Sequence, residues 1–410
     1  MIVVKFLLLP LFCLYVECTS AVFPSFIHPK YISDNWTFLR NVIKSLELDE
    51  IAKPSFVMSP FSLEIVMMML RHGAEGDTLD ELEDAIGLHR FITEKGHRHG
   101  FTRSLLDEFK TLSRENVTIY AANRVFLEQQ FEADPKYLKE VNGWYDLEVK
   151  PMSFAKPVAA AKEINDWVAR KTKLKIQNLL QPTDLYLPRL VLVNALYFSG
   201  RWMNPFEHHL THDRTFYSID GVSEKKMSFM QQVQTVSSAY SDNLQARIVD
   251  LPFVSEKVSM TILLTDERNG LRNIWEQISD YADYLWKLDD DILQPTYAIV
   301  TIPKFRIEFS LDGIPLLKSM GIRRIFDEDL AELDRMSKDR LYVSAVKQKS
   351  FIDVNEWGVD AAAAAATKKA VPVAFYPEPE PIEFLADHPF IFTIRKKPEN
   401  EVLFIGIYGG

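Results

Sequence analysis

The stretch Val354-Asn355-Glu356-Trp357-Gly358-Val359-Asp360 runs into six alanines, Ala361 to Ala366, and then into Thr367-Lys368-Lys369-Ala370-Val371-Pro372-Val373-Ala374-Phe375-Tyr376. Alanine is the strongest helix former, so the plainest reading of the run is a short surface helix. The alternative is a segment that passes between two strands with almost no side-chain volume to resist it. The tail that follows, Pro377-Glu378-Pro379-Glu380-Pro381, cannot join a sheet interior, because proline has no N–H to donate, and it favours an extended, exposed conformation. Together these residues describe an exposed loop with a smooth, insertable arm and a stiff return arm.

The chain around this loop has 410 residues, 47% hydrophobic and 25% charged, enough for a large core and unlike a peptide, a collagen or a disordered acidic tail. Its 57 acidic residues against 47 Lys plus Arg leave a net charge of −10, so no nucleic acid or membrane partner is expected. Lys5 precedes the apolar run Phe6 to Val16, and Cys18, Thr19 and Ser20 close it with small residues, the pattern of a secretory signal peptide over residues 1–20. A secreted, extracellular single domain over 21–410 is expected. Its only cysteines, Cys13 and Cys18, lie in the segment to be removed, so the mature chain relies on its core without a disulfide. Asn35 and Asn116 begin glycosylation sequons.

No repeat or long linker divides the chain before residue 360. Helical spacing runs over Asp34 to Leu48, Pro60 to Arg71 and Ala155 to Lys173, and Thr78-Leu79-Asp80-Glu81 reads as a capping box opening a helix that ends near Gly87. Strand patterns cover Val117 to Phe126, Leu190 to Phe198, Ala246 to Phe253, Val258 to Leu264, Ala298 to Phe309, Phe390 to Ile394 and Val402 to Tyr408, with helical stretches at Leu271 to Tyr281 and Ile314 to Met320. Helices gathered early and strands late predict an α+β fold, a mainly antiparallel sheet covered by helices.

A search for catalytic chemistry finds no nucleophile elbow, phosphate-binding loop, dinucleotide fingerprint or zincin motif. His208-His209-Leu210-Thr211-His212 matches no zinc spacing and reads as solvated surface, Asp289-Asp290-Asp291 lacks the alternation of a calcium loop, and His97-Arg98-His99 with Arg103 makes at most a small anion patch. No catalytic residue, cofactor or metal is expected.

The sequence resembles the serpin family over nearly all of the mature chain. Glu356 to Ala364 resembles the family's Glu-Glu-Gly-Thr-Glu-Ala-Ala-Ala hinge, and Phe384-Leu385-Ala386-Asp387-His388-Pro389-Phe390-Ile391-Phe392 its C-terminal signature. Ser59-Pro60-Phe61-Ser62 resembles the start of the helix beneath the main sheet, Asn194 to Trp202 the strand ending at the sheet's upper opening, and Ile164-Asn165-Asp166-Trp167-Val168 with Thr172 the helix across that sheet. Leu174 stands where the family has glycine, and Gln348 where many members have histidine. Gln348 can still donate to and accept from Ser59, Ser62 and Asn194. The resemblance implies a serpin fold with large sheets, about eight or nine helices and an exposed reactive-centre loop over 356–383. It implies a latch formed by Ser59, Ser62, Asn165, Asn194, Gln348 and Trp202, and a hinge formed by Glu356, Gly358, Val359, Asp360, Ala361, Ala362, Ala363 and Ala364.

It further implies a monomer that inhibits an extracellular serine protease as a suicide substrate, through a covalent complex. The protease cuts the loop, the freed arm enters the sheet as a new strand, and the tethered enzyme is carried off and distorted. An inserted strand of about 14 residues would gain ladder bonds on both sides, a gross ~10 to 20 kcal/mol. Val359, Ala361, Ala363 and Ala365 would face the core, all small or apolar, whereas Lys369 falls on the same parity and opposes burial. A bond before proline is a poor substrate, and Ala370-Val371-Pro372-Val373 resembles an elastase substrate, so Val373-Ala374 is the expected reactive bond, with Phe375 and Lys369 as runners-up. The competing expectation is a non-inhibitory serpin, a secreted binding or structural protein whose loop is merely cut. No heparin-binding face is evident along the chain; only folding could gather its scattered charges into one.

Overall fold

A computed structural model describes residues 29–46, 55–88, 103, 106–107, 117–145, 147–219, 222–280, 292–359, 380–397 and 400–410. Among these residues lie helices α1 Pro29–Ser45, α2 Pro60–Gly73, α3 Gly76–Ile86, α4 Pro135–Tyr145, α5 Pro157–Lys171, α6 Leu271–Asp280 and α7 Gly313–Ser319. The strands of the first two-thirds are β1 Ser55–Met58, β2 Val117–Glu128, β3 Glu148–Met152, β4 Leu190–Arg201, β5 His212–Tyr217, β6 Glu224–Ser241, β7 Ala246–Pro252 and β8 Val258–Thr265. Those of the last third are β9 Gln294–Pro303, β10 Phe305–Asp312, β11 Val343–Asn355, β12 Gly358–Val359, β13 Ile382–Leu385, β14 Phe390–Lys396 and β15 Glu401–Tyr408.

The strands form two sheets. One runs β1-β15-β14-β8-β7-β6-β9-β13 with β5 paired to β6, and the other runs β10-β11-β12-β4-β2-β3. Pairing is mainly antiparallel, as the α+β reading expects; β4 with β11, β2 with β3 and β9 with β13 are parallel.

At its central strand β4 the six-stranded sheet is buried on both faces. Leu190, Leu192, Leu196 and Phe198 of β4 point into the main core, where α2 lies with almost every residue buried. Val191, Val193, Ala195 and Tyr197 point the other way, under Ala160, Ala161, Ile164 and Val168 of α5. A strand covered on both sides has no polar face, which is why β4 reads as a continuous apolar run.

Two expectations fail locally. Ala298 to Phe309 is not one strand: Pro303 ends β9 opposite Phe229, the Lys304 N–H bonds Ser228, and Phe305 opens β10 in the other sheet opposite Val354. Proline cannot carry the ladder onward, so the chain changes sheets there. Thr78 does not cap α3 either. The helix begins at Gly76, and the Thr78 hydroxyl instead accepts from the Glu332 N–H, while the Glu332 carboxylate accepts from the Thr78 N–H. Gly87 does end α3, with φ 85°.

Candidate functional site

The site is the seam between β4 and β11. From Val343 opposite Leu190 to Phe351 opposite Tyr197 the two strands pair directly and in parallel. Above that point they part, and β12 lies between them. Val359 is opposite Val354 on one side and Gly200 on the other, and Gly358 is opposite Asn355 and Arg201, antiparallel to both. Val359 is fully buried in the main core. Glycine is required beside it: Gly358 has φ 149°, and a Cβ there would meet the Gly200 carbonyl oxygen at 2.0 Å.

The turn that delivers β12 is tied down residue by residue. The Trp357 N–H donates to Asn355 Oδ1 at 2.9 Å, the Phe206 N–H to the Glu356 carbonyl at 2.9 Å, and the Trp202 N–H to the Trp357 carbonyl at 3.0 Å. Trp202 also donates its indole N–H to the Asn355 carbonyl at 3.0 Å and stacks on Phe253 at 4.8 Å. Glu356 has a side chain only 2% exposed, and it accepts from Thr211 Oγ1 at 2.9 Å and pairs with Lys304 Nζ at 3.0 Å and His208 Nδ1 at 3.4 Å. Burial alone would push the Glu356 carboxyl up. The bond from its own backbone N–H and those from Lys304 and Thr211 outweigh that and hold it below the ordinary carboxylate value.

Lower on the seam a buried polar cluster joins the strands to the start of α2. The Gln348 amide donates to Asn194 Oδ1 at 2.7 Å and to the Ser59 carbonyl at 3.1 Å, and its oxygen accepts from the Ser59 N–H at 3.3 Å. Asn194 in turn donates to Ser62 Oγ at 2.7 Å and to Asn123 Oδ1 at 3.1 Å, and Asn123 donates to Ser62 Oγ at 2.9 Å. The structure thus brings Ser59, Ser62, Asn194 and Gln348 together.

It does not bring the other two latch residues there. Asn165 bonds both the N–H and the carbonyl of Leu180, at 2.9 and 2.8 Å, and so holds the segment after α5 against that helix. Trp202 belongs to the upper turn. Asn123 and Lys304 were missed, because each contributes a single side chain with no local spacing to mark it, whereas His208 and Thr211 lie in the stretch read as solvated surface and instead meet the buried Glu356 carboxylate. Leu174 adopts φ 64°, a left-handed conformation that glycine takes freely and leucine only at a cost of about 1–2 kcal/mol.

The hinge residues Asp360, Ala361, Ala362, Ala363 and Ala364, the reactive-bond residues Val373, Ala374, Phe375 and Lys369, the Asn116 sequon and the segment 1–20 lie outside the described residues. Asn35 lies within α1. His208 to Leu210 form a short 3₁₀ turn with His208 and His209 exposed, and no group of potential metal ligands occurs among the described residues. No described helix is long and apolar enough to cross a membrane.

Comparison with known proteins gives one answer. The family model described as serpin (serine protease inhibitor) matches residues 33–408. Serpin B6 of Macaca fascicularis is 33% identical over 375 residues, covering 91% of this chain and 97% of the relative. The leukocyte elastase inhibitor of Bos taurus is 34% identical over 359 residues, covering 85% and 91%. The crystal structure of Serpin48, a highly specific serpin of the insect Tenebrio molitor, matches with a TM-score of 0.81 at 30% identity, covering 93% of this chain and 98% of that one.

Proposed function

The chain belongs to the serpin family of serine protease inhibitors, and from that premise we propose that it is a secreted, single-use inhibitor of an elastase-like or chymotrypsin-like serine protease. The observation that carries the reading is Val359, already paired to β4 and β11 while the strands below it are still paired to each other. Two parallel strands leave room, once separated, for a third antiparallel to both. Each parallel pair given up is replaced by two antiparallel ones, which are slightly more stable per residue. The arm from Asp360 onward would extend β12 down the seam, with its odd-numbered residues on the Val359 side.

Cleavage at Val373-Ala374 would release that arm with the acylated protease still attached. The Ala-Val-Pro-Val sequence at 370–373 supports an elastase-like target, in keeping with the name of the bovine relative. Secretion rests on Lys5 and the apolar run to Val16, and monomeric action on a mechanism that needs no second copy.

The test is a denaturing gel of the protein mixed with elastase, chymotrypsin or trypsin. A covalent band at the summed mass, with elastase the most efficient, is expected, and the enzyme-linked fragment should end at Val373. Cleavage products alone, from every protease, would leave only the substrate reading that Lys369 favours.

A further inference from the structure

The seam between β4 and β11 keeps one register from its top almost to its foot. Gly200 and Val354 flank Val359, and below them Tyr197 faces Phe351, Asn194 faces Gln348 and Val191 faces Ala345, always with the same offset along the chain. A third strand antiparallel to both can therefore pair with each neighbour in step once the two move apart sideways, and neither has to slide. One level lower the offset breaks. Leu190 faces Val343, because Ser344 is an extra residue bulged out of β11. The irregularity belongs to β11 alone, since β4 stays in regular register with β2 down to Leu190 opposite Leu127.

The foot of the seam is also clamped. The Arg189 N–H donates to Ser344 Oγ at 2.9 Å and so ties the start of β4 to the bulge. Its guanidinium donates to the Arg340 carbonyl, pairs with Glu328, and lies 5.4 Å from the Phe131 ring and 5.2 Å from the Tyr342 ring. One residue at the entry to β4 thus holds the segment that enters β11 through backbone, charge and ring contacts. A strand continuing below Val191 would have to displace this clamp.

We propose that the Ser344 bulge, closed by Arg189, is a stop that sets how far the arm enters the sheet; the inference rests on the inhibitory reading above. The arm itself lies outside the described residues, so the stop is defined by its two neighbours. Counting down in register from Val359, Lys368 is the last position that meets both in step, opposite Val191 and Ala345. Lys369 falls at the break. A core position there would lie between Leu190 and Val343, both buried in the main core, where an ammonium is costly. The arm leaves the sheet at Lys369 instead and keeps that charge in water. The residues from Lys369 to the scissile bond remain as a tether to the acylated protease, so Lys369 no longer opposes insertion.

The test is hydrogen exchange, read by mass spectrometry, on protein nicked beyond Ala370 by elastase or chymotrypsin. Amides from Ala361 to Lys368 should exchange at least about 100-fold more slowly than those from Lys369 to the cut. Protection that runs on through Val371 overturns the stop. An arm with no protected amide defeats the inhibitory reading, and the stop with it. Deleting Ser344 in a Lys369→Ala background brings Val343 into step, so protection should extend through position 369; a boundary that stays at Lys368 overturns Ser344 as its cause. Should the deletion fail to fold, the melting of two nicked point variants decides. Thr367→Lys, on the core side above the stop, should lower the Tm of the nicked protein by at least about 5 °C, whereas Lys369→Ala should change it by less than about 1 °C. A rise of several degrees in nicked Lys369→Ala would put the native lysine in the core and overturn the proposal.

Discussion

The same two strands are held apart at one end of the seam and together at the other, by different chemistry. At the upper end β12 separates β4 from β11, and its turn hangs on backbone bonds, one buried carboxylate and a glycine with no room for a Cβ. At the centre the strands touch, and neutral amides and hydroxyls tie them to α2. On the inhibitory reading proposed above, the upper end is a started insertion and the centre an unopened one. The same reading puts the barrier to insertion below Val359, where the Tyr197 and Phe351 pair and the Gln348 cluster still close the sheet.

Substitutions at the two ends should therefore act differently. The largest effect is expected from Val359→Arg, which puts a charge into the main core at the first inserted position, at a cost of several kcal/mol. Covalent complex on a denaturing gel should fall by about 100-fold or more while loop cleavage continues; unchanged inhibition would mean that the arm does not enter beside Val354. Gln348→Ala comes next. It strands the Ser59 N–H and Asn194 Oδ1, so the uncut protein should lose about 2–3 kcal/mol in denaturant unfolding. A loss confined to the loop-nicked form would place the latch elsewhere.

At the upper end Glu356→Gln should cost less, about 1–2 kcal/mol, because the exposure of Lys304 screens that pair. The pH dependence follows from the sign of the shift. The Glu356 carboxyl is depressed in the folded protein, so its stabilisation is full above the ordinary carboxylate range and is lost as pH falls through the depressed value. Acid should loosen the upper turn, read as emission of Trp202 and Trp357, and Glu356→Gln should abolish the step; a step that persists would assign it to another carboxylate. The smallest effect is expected from Leu174→Gly, which relieves a left-handed leucine and should stabilise the uncut protein by about 0.5–1 kcal/mol after the entropy of glycine is deducted. Destabilisation would show that exposed Leu174 contributes packing the geometry does not reveal.

Parts of this were legible along the chain. β4 and α5 have strong periodicity because their partners cover whole faces, and Gly358, Ser59 and Asn194 could be placed because they sit in recognisable local patterns. β6 and β11 escaped notice: β6 carries Gln232 and Gln234 where a clean alternation would put apolar residues, and β11 carries Lys347 and Lys349 on a face whose charges are met only in space, by Asp184, Asp312 and Glu308. Asn165 belongs with Leu180 because the segment after α5 folds back beneath it, a path of fifteen residues that no spacing rule announces.

By itself the sequence determined the alternation of helices and strands, the slim arm after Gly358 and the small or apolar residues it offers to a core, since these depend on side-chain size and local period. Only the tertiary structure decided that Val359 pairs with both β4 and β11, that Glu356 meets Lys304, Thr211 and His208, and that the Lys175 and Arg306 cations lie over the ring of Phe351. Each of those joins residues from distant parts of the chain. Their proximity is set by strand register and by the path between sheets, quantities that exist only once the whole core has packed.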